Sequence, residues 1–128
     1  MNRWFAVGLS LVAGFAFGAA VVQGVHAQAK PPAYTIAEFE VIDPETFKKY
    51  GQATGTAIPA AGGRIIARGG KTFVVNGAPP KQVVIIQWDS LEQGQALFES
   101  ETYKQLIPIR DKGANFRAFT IEGLAAPR

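Results

Sequence analysis

The sequence predicts an α+β domain with the element order β-α-β-β-α-β, preceded by an export segment. Three observations carry this expectation. Residues 34–41 and 115–122 alternate apolar and polar side chains as half-buried strands do, and residues 82–88 are apolar on both faces. Residues 44–58 and 91–98 instead place their apolar side chains at helical spacing. The 128 residues leave about one domain's length once a targeting segment is set aside.

The N-terminus reads as a leader. Met1-Asn2-Arg3 is a short positive region, residues 4–22 are uncharged and apolar, and Val25-His26-Ala27 has the small-residue form of a cleavage site. Residues 1–27 are therefore expected to be a signal peptide cut before Gln28, giving a periplasmic or secreted protein. Retention as a membrane anchor is the alternative. No arginine pair marks the twin-arginine route. After cleavage no membrane segment remains. Residues 28–33, with Pro31-Pro32, read as a linker, residues 34–123 as the domain and residues 124–128 as a tail.

Within the domain each element has a local reason. In the first strand Thr35, Ala37, Phe39 and Val41 share one face, and Tyr34, Ile36, Glu38 and Glu40 share the other. Asp43-Pro44 then opens a helix. Asp43 can cap the free N–H groups, Pro44 suits the first helical position, and Ile42 and Phe47 stand at the two staple positions. Phe47, Tyr50, Gly51, Thr54 and Ile58 continue at helical spacing, and the helix should end between Thr56 and Gly62.

A second strand is expected over 64–68. Gly69-Gly70 interrupts it as a bulge or a tight turn, with strand character resuming over 72–75. Asn76-Gly77 and Pro79-Pro80 mark a loop. In 82–88, Val83 and Ile85 face one way and Val84, Ile86 and Trp88 the other, the mark of a central strand covered on both sides. A capping box from Asp89 to Glu92 should open the second helix. Tyr103, Leu106, Ile107 and Arg110 should form a short separate turn, broken at Pro108. The order of elements is the ferredoxin-like pattern, with both helices on one face of a four-stranded sheet. The other face then needs a second layer, and a partner subunit is the simplest cover; a homodimer is expected.

Composition excludes much chemistry. There is no cysteine, and the single histidine, His26, lies in the leader. Without an imidazole no Ser-His-Asp triad can form, and zinc or copper sites lose their usual ligands. No metal site and no cofactor is expected. The net charge of +3 is too weak and dispersed for nucleic acid. Acid–base work could still use Asp, Glu, Lys or Tyr.

An ordered set of short motifs resembles a known family. It comprises Ala33-Tyr34-Thr35-Ile36-Ala37, Asp43-Pro44, Tyr50, Gly62-Gly63-Arg64, Arg68-Gly69-Gly70, Val84-Ile85-Ile86-Gln87-Trp88, Ser100-Glu101-Thr102-Tyr103 and Arg110. Together, over residues 33–123, they look like the bacterial domain of unknown function 1330, of the dimeric α/β-barrel superfamily. The resemblance implies a ferredoxin-like protomer and a dimer whose sheets pack face to face. It implies no reaction: the wider superfamily includes cofactor-free oxygenases, haem-degrading enzymes and stress-response barrels. The missing histidine weighs against the haem-degrading branch. The leader departs from the family pattern and argues against a cytoplasmic substrate.

Five residues are candidates for a ligand site. Arg68 precedes two glycines that could re-aim it or let a ligand approach, and a guanidinium can grip a carboxylate through two bonds. Its ordinary alternative is an edge-strand charge. Arg110 lies beside the apolar helix stripe, within reach of a pocket or of Glu101 or Asp111. Tyr50 and Tyr103 offer polar tips on helices. Trp88 could stack on a ligand, although a tryptophan there more often belongs to the core. Two functions stay open. One is a module, or a cofactor-independent enzyme, that binds a small molecule between sheet and helices, an acidic group being held by Arg68 and Arg110. The other is a noncatalytic dimeric protein of the cell envelope.

Overall fold

The computed structural model describes residues 30–125; the expected signal peptide and the last three residues of the tail lie outside them. Four strands, β1 (Ala33–Val41), β2 (Arg64–Arg68), β3 (Gln82–Trp88) and β4 (Ala114–Glu122), form one antiparallel sheet in the order β2-β3-β1-β4. Helix α1 (Pro44–Ala60) joins β1 to β2. Three shorter helices, α2 (Leu91–Phe98), α3 (Glu101–Lys104) and α4 (Ile107–Gly113), join β3 to β4. This is the ferredoxin-like arrangement that the order of elements predicts.

The register sorts the side chains into two layers. Thr35 lies opposite Ile86 and Thr120, and Ala37 opposite Val84 and Ala118, so these residues share the face beneath the helices. Ile36 lies opposite Ile85 and Phe119 on the other face, which no element of the described chain covers.

The core sits under the helices around Trp88, the largest fully buried side chain. Its indole N–H donates to Thr35 Oγ1 at 2.8 Å, and the Thr35 and Thr120 hydroxyls bond at 2.7 Å. Two glycines make room for the ring. A Cβ on Gly63 would lie 2.8 Å from Trp88, and one on Gly94 would lie 3.0 Å from it.

At α1, Asp43 caps as expected, accepting from the Thr46 backbone N–H at 3.3 Å and the Thr46 hydroxyl at 2.8 Å. Of the two alternatives at Gly69-Gly70 the structure has the turn, with Gly69 at φ of 64°; the strand's bulge is at Ile66, between Ile65 and Ala67. Three local expectations are corrected. Residues 72–75 are not a strand. Pro79 and Pro80, which would stand in the returning strand, have no N–H to donate to a ladder. The second long helix is capped by Ser90, one residue later than expected. Ser90 Oγ accepts from the Gln93 N–H, and the Gln93 side chain reaches back to the Asp89 N–H. Finally, Pro108 does not break a helix. It stands in the first turn of α4, where a missing N–H costs nothing.

Candidate functional site

Three of the five candidate residues meet. Tyr50 projects from the buried face of α1, Tyr103 from α3, and Arg110 from α4, one helical turn after Leu106. The Tyr50 and Tyr103 hydroxyls are 2.8 Å apart, and Arg110 Nη1 donates to the Tyr103 hydroxyl at 3.2 Å. Arg110 Nε donates to Asp111 at 2.9 Å, so the ion pair expected for it also forms. The guanidinium lies 5.0 Å from the centre of the Phe116 ring, which β4 supplies. A cation over an aromatic face is attracted by the ring quadrupole.

Electrostatics follow from this packing. Burial, aided by the neighbouring Tyr103 hydroxyl, pushes Tyr50 well above the usual tyrosine range, so it stays protonated. For Arg110 burial opposes the charge but is outweighed by the bonds to Asp111 and Tyr103, and its basicity rises. The cluster is therefore a fixed cation linked through Tyr103 to a Tyr50 hydroxyl that stays protonated.

Two cavities flank the cluster. A chamber of 160 Å³ lies between the sheet and α1, almost wholly apolar, with Phe39, Phe47, Tyr50, Thr54 and Ile58 among its walls. An open groove of 720 Å³ lies between β4 and helices α2–α4, with Tyr103 and Arg110 on its wall. Thr35, Phe98, Phe116 and Ala118 line both, so the two cavities adjoin across a shared wall on the helix-covered face of the sheet.

A family model, Domain of unknown function (DUF1330), matches residues 32–124, and those are the residues that build this sheet and cleft. The chain belongs to the DUF1330 family. No protein of curated function matches it in sequence. Among solved structures, a protein of unknown function from Rhodopseudomonas palustris is similar over 84% of this chain and 94% of its own, with a TM-score of 0.61 at 15% identity. SnoaB, a cofactor-independent oxygenase from Streptomyces nogalater, is similar over 75% of this chain and 96% of its own, with a TM-score of 0.52 at 10% identity. At such identities the likeness is one of fold.

The other two candidates fall elsewhere in the DUF1330 domain. Arg68 is exposed at the end of β2, on the chamber wall away from Arg110, and its side chain makes no hydrogen bond or ion pair among the described residues. Trp88 is 1% exposed, bonded to Thr35 and packed edge-on against Phe98; it lines neither cavity and belongs to the core. Sequence reasoning missed Phe98 and Phe116, the wall common to both cavities. The available signal was the helix-facing parity of Phe116 with Ala118 and Thr120, two side chains too small to fill the space beside it.

Proposed function

We propose that this domain binds a small organic molecule in the cleft between sheet and helices. Its acidic or otherwise electron-rich group would be met by Arg110 and the hydroxyls of Tyr103 and Tyr50. The observation that carries this reading is the convergence of those three side chains, from three helices, where the two cavities adjoin: Tyr50 lines the chamber, and Tyr103 and Arg110 line the groove. A pocket with apolar walls and a few aimed polar groups is the usual form of a small-molecule site. Among the described residues Arg110 uses two of its five N–H donors, leaving donors for a carboxylate. Arg68 would serve the same class of group at the far mouth of the chamber.

Thermal shift with a panel of small carboxylic acids tests the reading. Binding should raise the melting temperature of the wild type. Arg110→Ala should weaken the best acid by about 1.5–3 kcal/mol, the range for hydrogen bonds to charged groups. Arg68→Ala should do likewise while leaving the melting temperature of the free protein nearly unchanged, since the Arg68 side chain is exposed and makes no hydrogen bond or ion pair among the described residues. If no acid binds, or both variants bind as well as wild type, the reading fails.

The likeness in fold to SnoaB supports one use of such a site, oxidation of a bound compound by oxygen without a cofactor. Oxygen consumption by the protein with its bound ligand would test that use. We further propose that the domain works as a homodimer, through the uncovered sheet face, and outside the cytoplasm. The second point rests on Met1-Asn2-Arg3, the apolar run and Val25-His26-Ala27. Intact mass from the native host decides it: a mature chain should begin at Gln28.

A further inference from the structure

The tyrosine pair holds one proton more than its own bonding consumes. Two phenol hydroxyls carry two protons, and their mutual bond uses one. Arg110 donates to Tyr103 and so adds no acceptor. Among the described residues no other group accepts from either hydroxyl. The charged donor polarises Tyr103 and makes it the better donor within the pair, so the chain runs from Arg110 to Tyr103 to Tyr50. The spare proton is then on Tyr50. Tyr50 is 7% exposed, and it lines the inner chamber whereas Tyr103 does not.

The chamber itself limits what can meet that proton. Its 160 Å³ is close to that of a dry, engineered cavity of about 150 Å³ that admits benzene, and is well below the range of about 300–1,000 Å³ for sites that take drug-sized ligands. Apart from Arg68, exposed at the end of β2, its walls are almost all carbon, and an ion held beside Tyr50 without a paired charge is costly in such surroundings. A neutral acceptor oxygen on a body of one ring fits both constraints.

The wall on α1 shows where such a body would pass. Gly51 and Gly55 both line the chamber, both are exposed, and a Cβ built on either would meet nothing within 4 Å. Glycine within a helix is less favourable than alanine, and here no packing contact among the described residues demands it.

We propose that the inner chamber takes a neutral single-ring carbonyl compound, entering past Gly51 and Gly55, whose carbonyl oxygen accepts the spare hydroxyl proton of Tyr50. This rests on the cleft being a ligand site. It goes further in assigning the inner chamber to an uncharged acceptor, leaving charged groups to the groove and the arginines.

Acetophenone, toluene and benzoate are the probes, titrated into the whole mature protein while methyl resonances of Ile58 and Ala37 report on the chamber. Acetophenone should perturb those methyls and bind at least tenfold more tightly than benzoate does in the chamber. Tyr50→Phe should lose tenfold or more in acetophenone affinity and leave toluene unchanged. Gly55→Leu should lose both probes while keeping a melting temperature at or above that of the wild type. If small acids bind through Arg110 but acetophenone leaves the chamber methyls unmoved, the cleft reading survives and this one is overturned. Equal acetophenone affinity in Tyr50→Phe overturns it as well, as does unchanged binding in Gly55→Leu. If no probe of any kind binds, both readings fall together.

Discussion

Tyr50 shows how one side chain ties the fold to the site. Its ring packs against Phe47 at 5.3 Å and Phe116 at 5.8 Å between ring centres, and its hydroxyl meets Tyr103. The same burial that makes it a cavity wall keeps it protonated. Its folded-state pKa is raised above the ordinary value of about 10, so the stability it contributes is complete below that pH and declines as pH rises further. Above about pH 10 the unfolded chain ionises at this residue and the folded chain does not, which favours unfolding by up to about 1.4 kcal/mol per pH unit. Denaturant titrations across this range should show a steeper loss of stability for wild type than for Tyr50→Phe. Parallel curves would mean that the hydroxyl is open to water. The meeting of Tyr50 with Tyr103 was not legible in the sequence. The two stand 53 positions apart on different helices, and only the tertiary packing of those helices fixes the distance. Arg110 was half legible, because the ion pair with Asp111 is local and the contact with Tyr103 is not.

Elements with strong period and a clean stop were legible; those decided by neighbours were not. β3 could be read on both faces because apolar side chains on both sides require a central place in a sheet, and it lies between β2 and β1. The segment over 72–75 has strand-like side chains but no strand beside it, and β propensity without a partner does not make a strand. At α2 two cap candidates stood side by side. Asp89 with Glu92 and Ser90 with Gln93 satisfy the same pattern, and the chain uses the second pair. This choice is testable. Ser90→Ala should cost about 1 kcal/mol in denaturant stability, since it removes the acceptor for the Gln93 N–H. Asp89→Ala should cost much less, because only the backbone N–H of Asp89 takes part. The reverse order would return the cap to Asp89. Helix α2 carries Phe98, the wall between chamber and groove, so fraying at its start need not reach the site.

Among the described residues the two faces of the sheet are covered unequally. Helices close one face of the sheet, whereas the other presents Ile36 flanked by Ile85 and Phe119, with Tyr34 and Ile121 beside them. Phe119 is 42% exposed and Ile121 54%, and an ion pair on this face, Glu38 with Arg117 at 3.4 Å, lies to one side of the apolar centre. Each aliphatic left wet forfeits roughly 1.5–3 kcal/mol relative to full burial. A second copy laid face to face would cover the patch, as two aligned sheets do in a sandwich. Specific interfaces bury about 800 Å² per partner, an area within reach of a four-stranded sheet. Light scattering at micromolar concentration should therefore give twice the protomer mass. Ile36→Lys places a charge at the centre of that surface, where pairing would leave it buried without a partner, so it should yield a monomer. Circular dichroism should remain that of the wild type, because Ile36 contributes nothing to the core under the helices. Phe119→Lys, on the neighbouring strand, provides an independent check should the first variant fold poorly. A wild-type monomer would show that the face is not a dimer interface. A dimer that persists in both folded variants would place the interface elsewhere on the molecule.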